Sequence, residues 1–411
     1  MGKIYTGIDI GTNSIKIVVA EKINDKFKVL AAEEVKSEGI KRSVITDIKK
    51  VATSVSKAIQ EIEKILGIKL KKIVVCIPSQ DSLFDIVSSK INVQNELCIT
   101  GEDINNLLKD AIGEKIKTGY ELVSAMPINF KLDDNKLVKD PKGLSSKTIE
   151  ARIVITEVPR KNLYNLLNVL EICGLEVIDI TLKTIADYFE VKNKRLDSEV
   201  GAIINIGEDT TNVSIYNKGI MIKNSIINVG SYYVDHDFTY IYKIDLAQSR
   251  KLKETFALAS TRYADKYDDI TVDNEVGEKQ TINQLEITQI AEARIAEILK
   301  IAKKEIKTLT NRQISYIIIL GGLSEMTGFQ YIAENILGEK ATVWNSTTIG
   351  IRHNKYTSAL GIIKYFDDKL TLRDRNIEMF DTEDINKLIS INKKEKDNAI
   401  INKMFGQFLG N

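Results

Sequence analysis

The sequence predicts an α/β protein of two related domains, with an α+β module inserted into the first and an amphipathic segment on a tether at the C-terminal end. Three observations lead there. Strand-like and helical stretches alternate over most of the 411 residues, a length that can bury more than one core. An apolar strand that turns through small polar residues into a second strand occurs twice, as GIDIGTNSIKIVV from Gly7 and as VGAIINIGEDTTNVSIYNKG from Val200. All four prolines (Pro78, Pro127, Pro141 and Pro159) fall in one stretch, marking a loop-richer insertion over about residues 83–163.

Composition narrows the function classes. Hydrophobic residues make up 43% and charged residues 28%, ordinary values for a soluble globular chain. With 58 Lys and Arg against 57 Asp and Glu, there is no basic stripe for nucleic acid, and no nucleic-acid-binding signature occurs. The widely spaced Cys76, Cys98 and Cys173 read as free thiols of a reducing compartment. His236 and His353 lack ligand spacing with them, which argues against a zinc site and a His-based triad. The start MGKIYTGIDIG enters a strand without a signal-peptide apolar run, and no long uncharged apolar stretch could span a bilayer. A cytoplasmic chain is expected.

In order, KIYTGIDIG, IKIVVAEK and FKVLAAEEV read as strands. VITDIKKVATSVSKAIQEIEKILG has helical spacing and ends on Gly67, a C-cap candidate, and KKIVVCIP is a buried strand stopped by Pro78. In the insertion, GEDINNLLKDAIGEKI reads as a helix, while ELVSAMPINFKLD and SKTIEARIVITEVP read as strands. A helix (RKNLYNLLNVLEICG) and a strand (LEVIDITLK) follow, then the second strand–turn–strand. YIIILGGLSEMTGF is a buried strand, a Gly-Gly turn and a helix start.

Small polar turns of this kind expose backbone N–H groups and hydroxyls at close approach, which suits a phosphate; an ordinary β-hairpin uses the same residues. Their repetition favours two domains that face one anionic ligand. A Gly-Gly turn after a buried strand lets backbone approach a flat ligand. In NAIINKMFGQFLGN, helical spacing gathers Ile400, Ile401, Met404, Phe405, Phe408 and Leu409 on one half of the wheel. That segment is too short to span a bilayer and suits its interface; docking on the protein's own body or on a partner is the alternative. The preceding KKEK adds attraction to anionic lipid.

Taken together and in order, GIDIGTNSIK, the inserted PINFKLDDNKLVKDPKGLSSKTIEARIVIT, NIGEDTTNVSIY, DLAQSRKLK, IIILGGLSEMTGF, GIRHNKYTSALGIIKY and the amphipathic end resemble the FtsA family. These are the actin-like cell-division proteins of the actin/Hsp70/sugar-kinase ATPase superfamily that tether the FtsZ ring to bacterial membrane. The resemblance implies an actin-like (ribonuclease H-like) two-domain ATPase fold. Residues 1–82 and 164–196 would form subdomain 1A, 83–163 the inserted 1C, 197–246 and 315–365 subdomain 2A, and 247–314 subdomain 2B. Residues 366–397 would be a flexible tether and 398–411 a membrane-targeting helix.

For the site, the resemblance implies ATP with Mg²⁺. Asp9, Gly11, Thr12, Asn13, Ser14 and Lys16 would form the first phosphate loop, with Asp9 near the metal. Asn205, Gly207, Glu208, Asp209, Thr210 and Thr211 would form the second, Lys251 would approach the nucleotide, and Gly321, Gly322, Leu323 and Ser324 would form the adenosine turn. Arg294 would receive the FtsZ C-terminal peptide, the insertion would meet other division proteins, and the chain would form filaments at the division site on the cytoplasmic membrane face.

Three positions depart from the family pattern: Asn205 and Asn212 stand where Asp is usual, and Gln248 where Glu is frequent. An amide cannot supply the negative charge that orients a hydrated metal or polarises a water, whereas a grip made of backbone N–H groups survives. The expectation is therefore a nucleotide binder that is at most a weak ATPase. A PilM-type adaptor and a small-molecule kinase of the same superfamily are the alternatives. The tail counts against the first and Asn205 against the second.

Overall fold

The computed structural model describes residues 2–113 and 116–388. Its frame is one strand pattern used twice. Strands β1 (Lys3–Ile10), β2 (Ser14–Ile23) and β3 (Lys26–Lys36) form an antiparallel meander. A two-residue hairpin, β4 (Ile40–Lys41) and β5 (Val44–Ile45), leads to helix α1 (Ile48–Leu66). Asp47 caps its N-terminus by accepting the Lys50 N–H, and Gly67 ends it at φ 65°, a conformation open to glycine. Strand β6 (Lys72–Ile77) returns parallel to β1.

The insertion follows. It comprises β7 (Leu83–Asn92), α2 (Gly101–Ile112), β8 (Tyr120–Leu132), β9 (Leu137–Val138) and β10 (Thr148–Pro159), in the sheet order β7-β10-β8-β9. It has its own core around Phe130, Ile149, Ile153 and Leu107. The chain then re-enters the first domain as α3 (Arg160–Ile172), β11 (Glu176–Leu182) and α4 (Lys183–Val191). The first sheet thus reads β11-β6-β1-β2-β3.

The second domain repeats it with β12 (Val200–Ile206), β13 (Thr211–Asn217) and β14 (Ile220–Ile227), followed by α5 (Tyr232–Tyr242) and α6 (Leu246–Thr255). After the hairpin β15 (Asp269–Asp273) and β16 (Lys279–Asn283) come α7 (Gln284–Leu309), β17 (Tyr316–Leu320), α8 (Phe329–Leu337) and β18 (Ala341–Val343). The order β14-β13-β12-β17-β18 has the same antiparallel and parallel neighbours as the first sheet. The stretch expected as a separate subdomain, 247–314, shares one core with this sheet: Leu252, Ile282, Ile295 and Leu299 pack with Ile204, Val213 and Ile319.

Helix α9 (Thr357–Leu372) then crosses back to the first domain, packing on β1, β2, β6 and α4. Residues 357–365 therefore join the first domain's core rather than the second's. The crossing needs two glycines: a Cβ on Gly361 would lie 1.9 Å from the Ala186 carbonyl oxygen, and one on Gly7 2.2 Å from that of Ala359. The expected tether also differs. Phe366, Leu370, Met379, Phe380 and Leu388 are all buried in the same core, because apolar side chains recur through that charged stretch. The amphipathic segment 398–411 lies outside the described residues, and among those described no helix is long and apolar enough to cross a membrane.

Because Phe380 is 5% exposed, Phe380→Ala should lower the unfolding free energy by about 3 kcal/mol in urea denaturation; a free tether starting at residue 366 would give no change.

Candidate functional site

The two strand turns come face to face, and their geometry matches. Gly11 N–H donates to Ser14 O at 3.1 Å, and Gly207 N–H donates to Thr210 O at 2.9 Å. Between the domains lies a cavity of about 420 Å³, lined by Asn13, Ser14, Lys16, Asn205, Gly207, Glu208, Gly321, Gly322 and Leu323 among others. A smaller lobe of about 80 Å³ beneath both turns is lined by Gly11, Thr12, Asp209 and Thr210, sharing Lys16, Lys183 and Asn205 with the larger. Residues 42 and 43 reach both turns: Arg42 N–H donates to Asp209 at 3.1 Å and Ser43 N–H to the Thr12 hydroxyl at 3.1 Å.

The Gly-Gly turn forms the opposite wall. Gly321 sits at φ 101°, and a Cβ there would lie 2.1 Å from Ile206 O, so only glycine brings β17 this close to β12. The following residues make a 3₁₀ turn over Gly322–Glu325 rather than the expected helix start; α8 begins only at Phe329, after Gly328 at φ 88°.

Several expected site residues stand elsewhere. Thr211 is fully buried and donates its hydroxyl to Val229 O at 2.7 Å, away from the cleft. Ser324 is buried, and its hydroxyl closes the turn on Gly321 O at 2.7 Å. Lys251 is solvent-exposed. The Asp245 cap starts α6 so that Arg250 and Lys253 face the cleft instead; Arg250 pairs with Glu208, and Lys253 with the fully buried Asp235 at 2.7 Å. Arg294 lies on α7, outside the cleft, where its guanidinium forks onto Asp237 of α5 at 2.7 and 2.8 Å and also meets Glu297. The expected membrane residues, Ile400 to Leu409, lie outside the described residues.

Beneath the cleft runs a buried polar chain that motif reading missed. Asp9, 2% exposed, accepts from Lys183 Nζ at 2.9 Å. Lys183 is the first residue of α4, and one turn later Asp187 accepts from Asn205 Nδ2 at 2.6 Å and from the Ser358 hydroxyl at 2.5 Å. Burial pushes the Asp187 carboxyl up to about 6, against the pull of Lys183, Ser358 and Asn205. Burial also works against the Lys183 ammonium, yet Asp9 and Asp187 hold it above its ordinary value. Near the cleft's edge, Glu34 gathers the Ser14 hydroxyl at 2.5 Å and Lys355 at 2.7 Å, with Lys16 at 3.8 Å. Burial pulls Lys16 below the usual lysine value despite Asp9.

The arrangement offers backbone N–H groups, five cationic side chains and a glycine wall to one polyanion. At the position equivalent to Asp9 in the second domain stands Asn205, an amide rather than a carboxylate.

A sequence profile described as "Cell division protein FtsA" matches residues 202–361, and one described as "SHS2 domain inserted in FTSA" matches residues 84–156. The cell division protein FtsA of Streptococcus pneumoniae is 26% identical over 88% of this chain and 79% of its own length. That of Bacillus subtilis is 25% identical over 91% and 86%. Among solved structures, a PilM–PilN type IV pilus biogenesis complex covers 87% of this chain and 97% of the matched one, at TM-score 0.59 and 11% identity. MreB5 of Spiroplasma citri bound to ADP covers 90% and 99%, at TM-score 0.54 and 12% identity. These likenesses show the actin-like fold.

Asp187→Ala would leave Lys183, Asn205 and Ser358 short of a shared buried partner. It should cost about 3 kcal/mol of stability, read as a lower urea midpoint.

Proposed function

Since the chain belongs to the FtsA family of actin-like cell-division proteins, we propose that it binds an adenine nucleotide between its domains and forms filaments that tether the FtsZ ring to the cytoplasmic membrane face. The observation that carries the nucleotide reading is the pair of matched glycine turns facing one cavity of about 420 Å³, closed by the Gly321 turn. The MreB5 structure bound to ADP supports the same use of the fold. Phosphates would lie against the turns, within reach of Lys16, Lys183, Arg250 and Lys253, and the nucleoside against Gly321 to Leu323.

Binding is favoured over turnover. Asn205 stands where a water-orienting carboxylate would be needed, and its amide is already donated to Asp187. The chain is at most a weak ATPase, which sets it apart from a small-molecule kinase.

Membrane attachment rests on the apolar face of residues 400–409. Each large apolar side chain fully buried stabilises by about 1.5–3 kcal/mol, reduced by partial insertion and by the entropy of ordering the segment. One tail therefore binds weakly, whereas a filament presents many and gains by avidity. This tail also separates the reading from a PilM-type adaptor. Arg294 and its neighbours on α5 and α7 are the candidate seat for the FtsZ peptide, and Asp237 already holds the guanidinium that would receive it.

Three measurements test these parts. Arg250→Ala should weaken binding of a fluorescent ATP analogue about tenfold, the loss of one charge-assisted contact, while Lys251→Ala binds like wild type. Deleting residues 398–411 should move the protein from the floating to the soluble fraction with anionic liposomes and leave nucleotide affinity unchanged. Arg294→Glu should lose co-pelleting with FtsZ polymers while keeping the wild-type melting transition to within a few degrees.

A further inference from the structure

Asp9, expected beside a divalent cation, is paired instead with one of the chain's own cations, Lys183. Asp9 and Asn205 are counterparts: each is the penultimate residue of the first strand of its sheet, two residues before the turn glycine. Lys183 bonds the first at 2.9 Å, and Asp187, one helical turn along α4, bonds the second at 2.6 Å. Both oxygens of Asp187 have donors, the second being the Ser358 hydroxyl at 2.5 Å.

A divalent cation with its waters needs oxygen ligands with free lone pairs and an uncompensated negative charge. Here the Asp9 charge is neutralised by an ammonium, the Asn205 amide turns its nitrogen toward an acid, and Asp187 is already satisfied. Another neighbour, Cys76, donates its thiol to Ser358 O at 3.3 Å. Among the described residues, no group of three or more His, Cys, Asp or Glu side chains could hold a metal ion. The donor set does not fit Mg²⁺.

Lys183 fits the role instead. A cation at the first position of a helix is opposed by the helix dipole, and burying it costs further free energy. Asp9 offsets both. The ammonium has three N–H donors, of which the contact with Asp9 uses one, and the side chain keeps 24% of its surface open to the cleft. It lines both lobes of the cavity, next to the turns where phosphates would rest.

We infer that Lys183 is a built-in counter-cation for the nucleotide phosphates, so that this protein binds a nucleoside polyphosphate without a divalent metal. The inference rests on the nucleotide reading above and deepens it.

The test is titration of the full chain with a fluorescent ATP analogue, once in excess Mg²⁺ and once in excess EDTA. Dissociation constants within about threefold of each other are expected. A weakening of tenfold or more in EDTA overturns the inference and leaves the nucleotide reading standing; no binding in either buffer overturns both. In a second arm, Lys183→Met is expected to weaken binding in EDTA tenfold or more, and Lys183→Met with Asn205→Asp to bind more tightly with Mg²⁺ than without. Unchanged binding by Lys183→Met in EDTA, in protein whose circular dichroism matches wild type, also overturns it. If the variants do not fold, the wild-type comparison alone decides.

Discussion

The molecule depends on how two buried carboxylates, Asp9 and Asp187, are kept compatible with a water-poor interior. Each is held by donors from other elements: Lys183 from α4, Asn205 from β12 and Ser358 from α9. Unpaired, either charge would cost several kcal/mol to bury. Paired, they join the end of the first strand of one domain to the equivalent point of the other and to the helix that crosses between them. The same contacts that hold the domains together therefore form the floor of the cleft, and a ligand resting there lies against the elements that set the domain angle.

Above that floor the two halves share a backbone and differ in side chains. Both turns place a glycine N–H on the carbonyl three residues later. The residue paired across from Asp9 is Lys16, whereas the one paired across from Asn205 is Asn212. A grip made of backbone N–H groups follows from the strand–turn–strand geometry and is present twice. Charge comes from different places in the two halves: Lys16 of β2 and Lys183 of α4 in the first, Arg250 and Lys253 of α6 in the second. Anion binding draws on the repeated part, while polarising an attacking water calls for a carboxylate, and at the position equivalent to Asp9 the second half carries the amide of Asn205.

Helix α9 extends this coupling toward the C-terminal end. Its close approach to α4, made possible by Gly361, leads the chain onto the first domain, where Met379 and Phe380 continue the core. The described chain therefore ends at Leu388 against the first domain, whose core buries it. Arg42 reaches from the same domain onto Asp209 of the second turn, so the first domain also touches the second domain's side of the cleft.

Much of this was legible in the residues. Strand-turn-strand repetition around Gly11 and Gly207, the helix closed by Gly67, the inserted sheet and the Gly-Gly wall are local patterns, set by backbone preferences that act over a few positions. What tertiary packing decided is contact between distant segments. Lys251 is as cationic as Arg250, and only the helical phase counted from the Asp245 cap puts Arg250 and Lys253 on the cleft. The charged stretch after residue 366 reads as a tether until the surface that buries Phe380 is present. Lys183 carries no motif at all; its meaning comes from Asp9, 174 residues away, and from a fold that encloses both in the same low-dielectric floor.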